Sequence, residues 1–200
     1  RTARGLPLRA MTANALPWRW IPTLYFAQAL PNVAVATLSV VMYKNLGLSN
    51  TDIALYTSWL YLPWVIKPLW SPLVDLIGRK RGWVVALQFV VGVAFALVAL
   101  ALPAPHFFQL TLAMFWLLAF ASATHDIAAD GLYMLALSEK RQAAFVGVRS
   151  TFFRLAMIAG QGVLVVLAGW LYESNGDYVR AWQVVFALLA ALFAAAALWH

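Results

Sequence analysis

The 200-residue chain is 64% hydrophobic and 10% charged, with a mean hydropathy of +0.80, whereas soluble domains carry about 25% charged residues, so an ordinary soluble domain is excluded. A helix crossing a bilayer needs about 20 apolar residues, which makes room for roughly six spans; with no cysteine, a disulfide framework, a thiolate nucleophile and a thiolate metal site are excluded, and no metal or cofactor is implied. The net charge of +7 has to be tested against membrane orientation before it suggests a nucleic-acid partner.

Residues 1–18 are basic and irregular, with Arg1, Arg4, Arg9, Pro7 and Pro17, and are expected to form an extramembrane arm. Residues 19–200 are expected to form a bundle of six spans, at about 22–43, 53–73, 83–102, 107–137, 145–172 and 181–200. Each is expected to be helical, because a single segment in lipid satisfies its backbone polar groups only as a helix. The first apolar run is too long for a signal peptide and lacks a small-residue cleavage site, so it is expected to be retained. The connections "KNLGLSN", "DLIGRKRG", "PAPH", "SEKRQAA" and "ESNGDYVR" are short and rich in turn formers or charge. The sixth span runs to Leu198, Trp199 and His200 with no polar segment after it, which suggests one half of a longer protein.

Basic residues collect on one side of this layout. Arg1, Arg4, Arg9, Arg19, Arg79, Lys80, Arg81, Lys140 and Arg141 fall on one side, against Lys44 and Arg180 on the other. The positive-inside rule then places the amino terminus in the cytoplasm, and the net charge needs no nucleic acid. The loop and helix start "DLIGRKRGWVVAL" also resemble "ESNGDYVRAWQVVFAL", on the opposite side of the membrane. Two three-helix units of opposite topology are a common transporter architecture.

The approach to the second loop reads "IKPLWSPLVDLIGRKRG". A positive-inside anchor accounts for Arg79, Lys80 and Arg81 but not for Asp75 or Lys67. The stretch resembles the loop signature of the major facilitator superfamily, a glycine-bearing tight turn with an aspartate and a basic cluster. In detail, Lys67, Leu69, Trp70, Ser71, Pro72 and Asp75, then Gly78, Arg79, Lys80, Arg81, Gly82 and Trp83, look like the AmpG-type muropeptide permeases. The resemblance extends through "QALPNVAV" (28–35) and "HDIAADG" (125–131). It departs at Leu76, where that family usually has arginine. It implies the amino-terminal six-helix half of a twelve-helix fold, built as a 3+3 inverted repeat in the inner membrane. The implied function is a proton-coupled permease working by alternating access on muropeptides or other amino-sugar-containing solutes. Its implied partners are the solute, protons, the bilayer and a carboxy-terminal half.

In "THDIAADG", Asp126 and Asp130 lie about 40° apart on one helical face. Ionised carboxylates in an apolar span are costly and require partners. For an antiparallel fourth and fifth span, matching depths pair Asp130 with Arg149 and Asp126 with Arg154. These pairs could be static packing contacts, or contacts that break during transport. On the second reading, Asp126, Arg154 and His125 couple protons to solute. Asp130, Arg149, Asp75, Gly78, Arg79, Lys80, Arg81 and Lys67 then form a cytoplasmic gate.

His125 and Asp130 also form an H-x4-D string like that of glycerolipid acyltransferases. On a continuous helix the two point about 140° apart and cannot touch. A lipid-modifying enzyme or an assembly partner remains the alternative. In the first span Pro31 frees a carbonyl, while Gln28 and Asn32 share a face; they line a cavity or bond to neighbouring helices. Gln161, between Gly160 and Gly162, is a further cavity candidate or marks a close helix contact. Trp18, Trp20, Trp83, Trp170, Trp182 and Trp199 are expected in an interfacial belt.

Overall fold

A computed structural model describes residues 17–200, so nearly all of the amino-terminal arm lies outside the described residues. Every regular element among them is helical. Helix α1 is Pro17–Asn45. Three short helices follow, α2 (Asn50–Thr57), α3 (Leu62–Ile66) and α4 (Ser71–Leu76). Four long ones complete the chain: α5 (Lys80–Ala101), α6 (Phe107–Ala136), α7 (Glu139–Asn175) and α8 (Tyr178–Trp199).

Five helices, α1 and α5 to α8, are long and apolar enough to cross a membrane. The second expected span is instead broken into α2, α3 and α4, joined through 3-10 turns at Ser58–Tyr61 and Lys67–Leu69. Pro63, Pro68 and Pro72 account for this. Each lacks an N–H and clashes with the carbonyl four residues earlier, so the backbone restarts around each one. The break matters because it turns Trp64, Lys67 and Trp70 toward α6, as described below.

Helix α1 is the most enclosed. Ile21, Leu24, Ala29, Val33, Ala34 and Leu38 along it are fully buried or nearly so, and it packs chiefly against α7 and α6. Pro31 does not break α1; the helix widens into a π-helical turn at Ala34–Leu38. Helix α7 has a matching π-helical segment at Ala159–Leu164, and the two widened segments touch. Gly160 sits at this crossing, where an added Cβ would lie 2.6 Å from Val33 Cγ1. The close contact suggested by the Gly160–Gln161–Gly162 triplet is therefore made by Gly160 alone, since nothing lies within 4 Å of a Cβ added at Gly162.

The suspected repeat has a structural counterpart. Helix α5 packs extensively on α8, with Phe95 between Phe186 and Phe193 at ring-centroid distances of 6.1 and 5.6 Å. Each of these helices starts two residues after a left-handed glycine, Gly78 at φ 74° and Gly176 at φ 69°. Glycine is needed there because a Cβ disfavours this backbone region. Trp182 departs from the expected belt: it is fully buried and donates its indole N–H to Asn45 Oδ1 at 3.2 Å.

Candidate functional site

The loop before α5 is held by its lysine. The Lys80 side chain is only 9% exposed; it donates to the Val74 carbonyl at 2.8 Å and pairs with Asp75. Its stem crosses Gly131 of α6, where a Cβ would come within 2.9 Å of Lys80 Cε. This ties the second loop to the end of "HDIAADG". Trp83 closes the turn by donating to the Ile77 carbonyl at 2.6 Å. Arg79, Arg81 and Gly78 are exposed; of the basic residues that the sequence reading grouped with Asp75, Lys80 is the one that meets its carboxylate.

One turn further into α6, Asp126 faces the broken second span. Its carboxylate accepts from Trp64 Nε1 at 3.2 Å and lies 4.0 Å from Lys67 Nζ. Trp70 donates to Thr124 Oγ1 at 3.2 Å. Three side chains from the proline-broken segment thus seat on one stretch of α6. Asp126 is 15% exposed at its side chain and Lys67 is 37% exposed, so the cation reaches solvent while the carboxylate is largely shielded.

Asp130 makes the second junction. Its Oδ1 accepts from Arg149 Nη2 at 3.0 Å and from the Tyr25 hydroxyl at 2.9 Å. The Arg149 guanidinium lies 4.6 Å from the Tyr25 ring centroid and 5.0 Å from that of Tyr133, and each such cation–π contact contributes about 0.5–1 kcal/mol. Helices α1, α6 and α7 are thereby clamped at a single carboxylate. Both charged partners are about one third exposed, 31% for Arg149 and 39% for Asp130. Removing the cation alone, as in Arg149→Gln, is therefore expected to cost about 1–3 kcal/mol. The double variant with Asp130→Asn should recover part of that loss, read from denaturant unfolding in detergent.

The expected Asp130–Arg149 pair is present, and the expected Asp126–Arg154 pair is not. Helical phase explains both outcomes. Asp126 and Asp130 are four residues apart and share a face, but Arg149 and Arg154 are five apart and diverge by about 140°. Once Arg149 turns toward α6, Arg154 must turn away. A charge exchange between Asp126 and Arg154 is accordingly expected to bring no rescue. Exchanging Lys67 and Asp126 should restore more folded protein than Lys67→Asp alone, checked by monodisperse yield.

Arg154 instead lines a recess of about 220 Å3 with Tyr25, Gln28, Arg149, Ser150 and Phe153. Gln28 is 7% exposed, its Oε1 has no hydrogen-bond partner, and it approaches the Asp126 carboxylate. Asn32, one turn on, is half-buried, and Gln161 is exposed on α7. His125 is 3% exposed with Nε2 unpartnered. Because α6 is continuous from Phe107 to Ala136, His125 and Asp130 stay about 140° apart; the acyltransferase geometry is not formed.

The sequence reading did not single out Tyr25, Tyr133, Trp64 or Thr124. Aromatic residues are too common in this chain to stand out singly. Trp64, however, lies three residues before Lys67, a spacing that places both on one helical face.

Residues 23–200 match the family described as the Major Facilitator Superfamily. The Anhydromuropeptide permease of Escherichia coli (strain K12) is 31% identical over 176 residues, covering 84% of this chain and 33% of the permease. Putative transporter AmpG 4 of Rickettsia conorii is 28% identical over 189 residues, covering 86% of this chain and 42% of that protein. An uncharacterized protein of Schizosaccharomyces pombe is 32% identical over 146 residues, covering 65% of this chain and 28% of its own length. The chain thus spans less than half the length of these curated relatives. With a family match across most of its length and relatives of this kind, the chain belongs to the major facilitator superfamily, in its AmpG-type branch.

Proposed function

We propose that this chain forms the amino-terminal half of a proton-coupled permease that works by alternating access, with its amino terminus in the cytoplasm. The observation that carries the proposal is the uncovered face of α7. Only 17% of the apolar stretch of this helix is buried, against 67% for α1, yet the exposed residues of α7 include Ser150, Arg154 and Gln161. A guanidinium about four turns into a spanning helix is too costly to leave against lipid, so this face requires an aqueous cavity or a polar partner. A second half rocking against it supplies both in turn.

In this reading Asp126, with Lys67 as its nearest cation, His125 and Arg154 serve proton and solute coupling. Gln28, Asn32 and Gln161 line the cavity. Asp75, Gly78, Arg79, Lys80 and Arg81, together with Lys67, Asp130 and Arg149, belong to the cytoplasmic gate. The solute class is a muropeptide or another amino-sugar-containing solute, supported by the similarity to the Anhydromuropeptide permease of Escherichia coli.

Alternating access is tested with a single cysteine at Gln161 in an otherwise cysteine-free full-length protein. A membrane-impermeant thiol reagent should reach it from either side of oriented vesicles, with the favoured side changing when solute is added. Labelling confined to one side under all conditions would count against rocking around this face. In the same vesicles, an acidic exterior should drive accumulation of an anhydromuropeptide.

A further inference from the structure

The recess between α1 and α7 has an unusual charge balance. Five of its lining side chains are polar or aromatic with a polar tip or positively charged: Tyr25, Gln28, Arg149, Ser150 and Arg154. None is a carboxylate. Of the two arginines, Arg149 is already neutralised by Asp130 at 3.0 Å. Arg154 forms no ion pair with any acidic side chain among the described residues. Beside it, Gln28 is 93% buried by its 7% exposure and keeps an unpartnered amide oxygen. Its amide approaches the Asp126 carboxylate, which an N–H can meet and an oxygen cannot, so the oxygen is the end left to the recess, as an acceptor.

The available groups are therefore a planar five-donor fork, an amide and a hydroxyl, arranged around a space of about 220 Å3. A guanidinium matches a carboxylate in two parallel hydrogen bonds and is the preferred side chain for that task. Phe153 supplies the apolar wall of the recess.

We infer that Arg154, assisted by the Ser150 hydroxyl, is the specificity determinant that receives a carboxylate of the solute, so that the protein selects acidic amino sugars over neutral ones. The inference rests on the permease reading and adds to it the chemical class that the recess accepts. Arg149 is the positioning residue: with its charge held by Asp130, it sets the shape of the recess and leaves Arg154 as the open cation.

The test uses the full-length protein in nanodiscs and two probes differing in one group. N-acetylmuramic acid carries a lactyl carboxylate that N-acetylglucosamine lacks. Wild-type protein should bind the acidic sugar about tenfold or more tightly, in keeping with a charge-assisted bidentate contact. Arg154→Gln should abolish that ratio, and Arg154→Lys should restore part of it. Thermal unfolding checks that both variants remain folded. Equal binding of the two sugars by the wild type, no binding of either, or an unchanged ratio in Arg154→Gln would overturn the inference. The last outcome would mean that Arg154 pairs with an acid elsewhere in the protein. Retained preference without proton-driven uptake would instead sink the transport reading alone.

Discussion

Asp126→Asn is expected to abolish accumulation driven by a pH gradient while leaving insertion and solute exchange in place. Asparagine keeps the carboxylate's size and an oxygen to accept from Trp64 Nε1, now at 3.2 Å, but it can no longer exchange a proton. A gradient of one pH unit, about 1.36 kcal/mol, sustains about tenfold accumulation if one proton moves with each solute. In the variant that ratio should fall to about one at any imposed gradient. Exchange of labelled for unlabelled solute needs no net proton movement and should persist. Lys67 makes the prediction specific, because it is the only cation within 4.0 Å of this carboxylate among the described residues. Unchanged accumulation with unchanged pH dependence would remove Asp126 from coupling and leave it as a seat for the broken second span.

Gly160→Val should produce the largest loss of folded protein. Even a methyl group at this position would meet Val33 Cγ1 at 2.6 Å and Val33 Cβ at 3.1 Å. Neither neighbour is the tip of a flexible chain, and Val33 is itself fully buried. Overpacking of this kind costs about 1–3 kcal/mol in soluble cores, and more where the backbone cannot yield. Here the two helices cross at their π-helical segments, Ala34–Leu38 and Ala159–Leu164, so the wedge would also strain two backbones already departed from α geometry. Gly162→Val, only two residues away with open space around it, is the matched control and should behave like wild type in denaturant titration. Equal stability of the two variants would mean that the α1–α7 crossing is looser than described.

The Asp130–Arg149 pair was legible because its two members needed only depth and one facing direction. The same reasoning failed for Asp126 and Arg154 because depth was matched and phase was not. Four residues return a helix to nearly the same face, whereas five do not. The true neighbours of Asp126 come from a segment that reads in sequence as one span. Pro63, Pro68 and Pro72 were visible there, but the direction in which each restart aims Trp64, Lys67 and Trp70 depends on packing against α6. Trp182 shows the same gap: a tryptophan near a span end suits an interfacial belt, and only the approach of Asn45, 137 positions earlier in the chain, makes burial of its indole N–H affordable.

From the sequence by itself came the membrane class, the helical state, the approximate extent of five long helices and the major facilitator signature around Asp75 and Gly78. The first three follow from local rules, apolar length and the need to satisfy backbone hydrogen bonds in lipid, and the signature from the resemblance of those residues to the family's loop. Only the tertiary structure decided which charges meet. It assigned Asp75 to Lys80, Asp126 to Trp64 and Lys67, and Asp130 to Tyr25 and Arg149, and it left Arg154 without an acidic partner among the described residues. The physical reason is that a buried charge takes whichever partner the rotation of neighbouring helices brings within hydrogen-bond reach. That rotation is set by the packing of whole helices, not by any short stretch of residues.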